Sequence, residues 1–90
     1  MELVFNKIEN EWVAEFEATS DFNLHLERVK NGFLEIKQRG CPEGEFERVY
    51  EAGGIFAGKV YDRDFGALVY PKWIKVTSSV EVTKGVVTEA

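Results

Sequence analysis

His25 and Cys41 are the single histidine and single cysteine of this 90-residue chain, and they are its first candidates for chemistry. A histidine serves as general base when an acid orients it and a hydroxyl or thiol lies within its reach. His25 alternates with Phe22, Leu24 and Leu26, which turns it away from the core side of its segment. It stands between Asn23 and Glu27 on a face that reads as solvated, so an ordinary surface histidine is expected. Cys41 lies in Gly40-Cys41-Pro42-Glu43-Gly44, where acidic neighbours oppose the thiolate that nucleophilic attack requires. One cysteine excludes an internal disulfide, and one cysteine with one histidine excludes a standard zinc set. No catalytic residue and no cofactor is expected.

Carboxylates gather twice, at Glu43, Glu45 and Glu47, and at Asp62 and Asp64 on either side of Arg63. Oxygen-rich loops hold calcium, and two loops at one end of a sandwich could act jointly. Neither stretch carries the spaced D-x-D-x-D-G pattern, and Arg63 offers its neighbours a local ion pair at a turn. Solvated turn chemistry with no metal is therefore expected. Gly53-Gly54 could suggest a phosphate loop, but no helix follows it, so it reads as a hairpin turn. Aromatics are the more suggestive group. Phe33 and Trp73 fall on the polar faces of their segments, and Tyr61 and Tyr70 lie near segment ends, where a hydroxyl can reach water. These four are the candidate contacts for a protein interface or a glycan. Plugging the ends of a thin sandwich is the plainer alternative.

The elements that must position these residues are strands. Val, Ile and Thr total 19 and the aromatics 12, all suited to a pleated, half-buried surface, whereas Ala and Leu together total 11. From Glu11 to Ala18 the apolar Trp12, Ala14, Phe16 and Ala18 share one face, opposite Glu11, Val13, Glu15 and Glu17. Phe22 to Phe33 alternates in the same way into Asn31-Gly32, the preferred pair for a type I′ turn. A hairpin is expected there, returning through Leu34, Ile36 and Gln38. Further strands are expected at 46–51, at 55–61 with Gly58 as a bulge, at 67–70, and at 72–78 with Ile74 and Val76 inward. A last strand, 80–89, should bend at Lys84-Gly85 and pair onto the preceding one. Turns are expected at 40–45, 52–54 and 62–66. The pattern predicts a single all-β domain over 1–90, a small antiparallel sandwich of seven or eight strands. Its architecture would be immunoglobulin-like or jelly-roll-like, with a small barrel as the alternative.

Charge and hydropathy narrow the partners. A net charge of −5 lacks the basic stripe that phosphate backbones need, so no nucleic acid is expected. No run approaches the ~18 apolar residues of a membrane span. The first residues, MELVFNKIENEW, are acidic where a signal peptide would be basic, which predicts cytoplasmic synthesis without one.

Trp12-Val13-Ala14-Glu15-Phe16-Glu17-Ala18, leading to Phe22-Asn23-Leu24-His25-Leu26, resembles the opening of small β-sandwich proteins encoded in phage and prophage structural regions of gut bacteria. The closing run from Tyr70 to Ser79, with Val82-Thr83-Lys84-Gly85-Val86-Val87 after it, resembles the last two strands of such modules. The resemblance implies a capsid, tail or surface component that works by assembly and is incorporated into a particle. It carries no site residue across. The sequence thus leads to a non-enzymatic module that binds another protein or copies of itself. A carbohydrate-binding module using Trp73 with Tyr70 or Tyr61 is the alternative.

Overall fold

Alternation of apolar and polar residues builds nine strand segments in the computed structural model, which describes residues 1–48, 55–66 and 69–89, the side chains of Glu47 and Arg48 excepted. They are β1 (Asn6–Ile8), β2 (Glu11–Ala18), β3 (Phe22–Arg28), β4 (Gly32–Arg39), β5 (Glu47–Arg48), β6 (Ile55–Ala57), β7 (Val60–Phe65), β8 (Lys72–Ser78) and β9 (Val82–Glu89). Two antiparallel sheets pack face to face as a sandwich. The larger runs β1-β2-β8-β4-β5 with β6 also on β4, and the smaller runs β7-β3-β9. The described residues include no helix, and so none long and apolar enough to cross a membrane.

The core forms where the inward positions of both sheets meet. Phe16 and Ala18 of β2, Leu34 of β4, and Ile74 and Val76 of β8 face Phe22, Leu24 and Leu26 of β3, Tyr61 and Phe65 of β7, and Val87 of β9. Phe22 stacks on Phe65 at 5.0 Å between centroids and receives Phe16 edge-on at 5.3 Å. Each such side chain contributes about 1.5–3 kcal/mol on leaving water, which a domain of this size needs. Of the long strands, β3–β7 and β4–β8 pair as B–E and C–F do in an immunoglobulin sandwich. By contrast, β2 lies beside β8 and β9 beside β3, so the two outer long strands have exchanged sheets.

Faces were legible in the sequence, but several partners differ from expectation. The Asn31-Gly32 hairpin does not form: β3 and β4 belong to different sheets, and the chain crosses between layers at 29–31. Neither Asn31 nor Gly32 takes the positive φ that a type I′ turn demands. Gly32 is required for space instead, since a Cβ there would meet a Val80 methyl at 2.7 Å and the Ser79 hydroxyl at 2.8 Å. The 55–61 strand divides into β6 and β7, one in each sheet, and Gly58 lies in the crossing between them. The expected 62–66 turn is strand through Phe65, because Asp62 and Asp64 pair in register across from His25 and Asn23. Val69 and Tyr70 are not in a strand. β9 pairs with β3 rather than β8, and its register slips so that Lys84 opposes Glu27 while Val82 opposes Arg28, leaving Thr83 as the extra residue of a bulge. Phe46 precedes β5 (Glu47–Arg48), and the remainder of the expected 46–51 strand and the expected Gly53-Gly54 turn lie outside the described residues.

One residue explains the crossings. Arg28 occupies the inward parity of β3 and is only 4% exposed. Its Nη1 donates to the Phe33 carbonyl and the Ser78 hydroxyl, and its Nη2 to the carbonyls of Gly32, Ala57 and Gly58, at 2.7–3.2 Å. The guanidinium thus ties the β3–β4 crossing to the β6–β7 crossing and to the end of β8. Burial pulls its pKa down, yet an arginine so bonded stays a cation at neutral pH.

The N-terminal residues span both layers. β1 forms a hairpin with β2, while Leu3 N–H donates to the Gly85 carbonyl at 2.9 Å and Val87 N–H to the Met1 carbonyl at 2.8 Å, covering the free edge of β9. Gly85 makes room for this strap, because a Cβ there would meet the Phe5 ring at 2.8 Å.

Candidate functional site

Two outer faces carry the residues capable of chemistry or recognition. On the small sheet, the outward positions of β3 are Asn23, His25 and Glu27, opposite Asp64, Asp62 and Val60 of β7 and Thr88, Val86 and Lys84 of β9. His25 Nδ1 lies 2.7 Å from Asp62 Oδ2 and its Nε2 lies 2.9 Å from Glu27 Oε2. Asn23 Nδ2 donates to Asp62 Oδ1 at 2.7 Å and to Asp64 Oδ1 at 3.0 Å. Both ring nitrogens therefore face acceptors, which only the doubly protonated imidazolium can satisfy. The hydrogen bonds to Glu27 and then Asp62 raise the His25 pKa above its ordinary value. Reciprocally, His25 lowers that of Glu27, and Asn23 followed by His25 lowers that of Asp62. A histidine held as a cation between carboxylates is poorly placed to accept a proton from a nucleophile.

This row of side chains runs into an open cavity of 290 Å³ at the end of the small sheet, where Asp21, Asn23, Asp64 and Glu89 surround the stacked Phe22 and Phe65. Its carboxylates are engaged within the chain. Asp21 accepts from Tyr70 Oη at 2.7 Å, Glu89 from Thr19 Oγ1 at 2.9 Å, and Asp64 from Asn23. Among the described residues no group of three or more His, Cys, Asp or Glu side chains is arranged to hold a metal ion. Asp62 and Asp64 are on a strand and turn to His25 and Asn23 rather than to Arg63, which occupies the other parity of β7. Glu43 and Glu45 lie in the exposed loop after β4, where Cys41 Sγ donates to the Glu43 carbonyl.

The outer face of the large sheet holds the aromatics. Phe33 on β4 and Phe56 on β6 sit directly opposite each other, 61% and 65% exposed, with rings edge to face at 5.6 Å. Further along, Glu15, Lys75 and Lys37 form one cross-strand row, and Glu17, Trp73 and Arg39 the next. Phe46 folds back over this end, its ring 4.1 Å from the Arg39 guanidinium and 5.6 Å from Lys75 Nζ. Arg39 Nη1 donates to the Gly44 carbonyl at 2.8 Å, which pins the loop against the sheet.

The four aromatics singled out in the sequence are thus dispersed. Phe33 is exposed and Trp73 half-buried on one face, at opposite ends of it. Tyr61 is in the core, not at a surface, because residue 61 takes the inward parity once β7 extends through Phe65. Tyr70 is half-buried and bound to Asp21. A stacking platform of Trp73 with Tyr61 does not exist. Phe56 and Arg28 were the residues missed. Arg28 was detectable as the fourth inward position after Phe22, Leu24 and Leu26, whereas Phe56 needed the β4–β6 register. Against family models, curated proteins and solved structures the chain finds no match.

Proposed function

We propose that this protein is a non-enzymatic association module that acts through the outer face of its large sheet. The observation that carries the reading is the exposed Phe33–Phe56 pair, at the edge where β6 borders β4. Two phenyl rings held in water at fixed geometry offer a rigid anchor whose burial by a partner costs little side-chain entropy. The engaged carboxylates and the imidazolium on the opposite face support the non-enzymatic half of the reading. Assembly into a larger particle, which the sequence resemblance implies, is the setting in which such a module would work.

The test is a photo-crosslinking amino acid placed at position 56 of the full chain in cells, with position 64 on the other face as control. A discrete adduct from position 56, to any protein including the chain itself, and none from position 64, is expected. No adduct from position 56 would remove the reading.

A further inference from the structure

We infer that the partner is a second copy of this chain, packed face to face on the large sheet about a two-fold axis that runs along β8. This inference rests on the association reading above and names its partner.

The motive is the symmetry of the face itself. β8 is the middle strand, with β2 and β1 on one side and β4, flanked by β5 and β6, on the other. In the row at one end of the face, Ile8 of β1 pairs with Glu11 at one margin, and Phe33 pairs with Phe56 at the other. Ser79 stands between, its N–H donating to the Phe33 carbonyl at 3.0 Å. Ile8 is 56% exposed, so both margins of this row present apolar groups to water. The next row is Val13, Thr77 and Glu35. In the two rows beyond it the β2 side is acidic, with Glu15 and Glu17, and the β4 side basic, with Lys37, which lies 3.2 Å from Glu35, and Arg39, which lies 3.8 Å from Glu15. A rotation of 180° about β8 lays the acidic side of one copy over the basic side of the other. Glu15 then meets Lys37, Ile8 meets Phe56, and Glu17 lies over the Phe46 ring that covers Arg39. Each contact occurs twice, as an isologous interface requires. On the axis Trp73 and Lys75 each meet their own mates, and the Lys75 pair is flanked by the Glu15 side chains of both copies.

Relief matches as well as charge. Phe46 and its loop stand proud over Arg39 on the basic side. On the acidic side, β1 pairs with β2 only from Glu11 to Val13, and among the described residues no strand lies beside Glu15 and Glu17. The rotation brings the raised loop of one copy over this recess in the other.

Five strands about 4.8 Å apart, over about seven residues at about 3.3 Å each, give a footprint of roughly 20 by 23 Å. Burial between two copies is then on the order of 1,000 Å², at the low end for specific association. A weak, concentration-dependent dimer is expected.

Sedimentation equilibrium of the full chain from about 10 μM to about 1 mM tests this. Wild type should dimerise within that range. Glu15→Lys and Lys37→Glu should each weaken self-association by about tenfold or more, since each sets like charges across the interface twice. An equimolar mixture of the two variants should regain it, because both cross-contacts of the mixed pair then join opposite charges. Ile8→Ser, at an exposed position, should also weaken it by about tenfold. A monomer at every concentration overturns the second copy as partner. The association reading then stands or falls separately on the adduct from position 56, where a different protein would be the captured species. A dimer indifferent to these substitutions, or one that the mixture does not restore, overturns the two-fold packing about β8.

Discussion

His25 donates to a carboxylate from each ring nitrogen, at 2.7 and 2.9 Å, and only the cation can do so. Its pKa in the folded chain is therefore raised above the ordinary 6.5, with Glu27 the larger cause and Asp62 the next. The sign of the linkage follows. The stabilisation is complete below the unfolded value and is lost as pH rises through the higher folded one. Glu27 and Asp62 act in reverse, because their pKa values are lowered; their contribution is present above 4.5 and 3.8 and is lost as pH falls below those values. The unfolding midpoint in urea should thus fall as pH rises through the neutral range, and His25→Asn should flatten that decline. A His25 imidazole titrating at or below 6.5 by NMR would contradict the geometry. Arg28 belongs to this scale too. Arg28→Met removes five hydrogen bonds and strands the buried Gly32 carbonyl and three partly buried ones, so urea unfolding should show a loss of about 2–4 kcal/mol. The outward parity of His25 was legible from Phe22, Leu24 and Leu26. Its carboxylate partners were only half legible. Glu27 is two residues away, but Asp62 reaches it through a cross-strand register that no local pattern encodes.

Among the elements, the β1–β2 hairpin joins its strands by a tight turn, and that turn carries strain. Glu9 adopts a φ of 58°, a left-handed conformation that suits glycine and costs a side-chain-bearing residue. The position is exposed, so Glu9→Gly removes little else. It should raise stability by about 0.5–1 kcal/mol, read as a shift of the urea midpoint at constant slope. The other elements show what alternation can and cannot convey. It fixes which face of β2, β3 or β8 is buried, because a slip of one residue would invert the whole apolar set. It says nothing about which strand lies alongside. Asn31-Gly32 therefore looked like a hairpin turn when its glycine answers to Val80 and Ser79 pressing on the crossing. Gly85 was read as a bend in its own strand, and its lack of a side chain admits Phe5 of the strap.

For the whole molecule, the decisive property is that nearly every pairing joins strands distant in the chain. β2 pairs with β8, β3 with β7 and β9, and β4 with β8, so the core requires many long loops to close before it is rewarded. Refolding from urea should take milliseconds to seconds, as for other sandwiches of this size, and a relaxation in microseconds would be incompatible with the wiring. The same wiring has a further consequence at the exposed loop after β4. A single cut there would leave β1–β4 on one piece and β5–β9 on the other. Apart from β1 with β2, every neighbouring pair in both sheets would then consist of one strand from each piece. Each fragment alone would own half of two sheets and almost none of their hydrogen bonds, while the two together would interleave like the fingers of clasped hands. The protein is, in that sense, a two-part reporter written as one chain: neither half has a structure to keep, and binding and folding of the halves would be the same event.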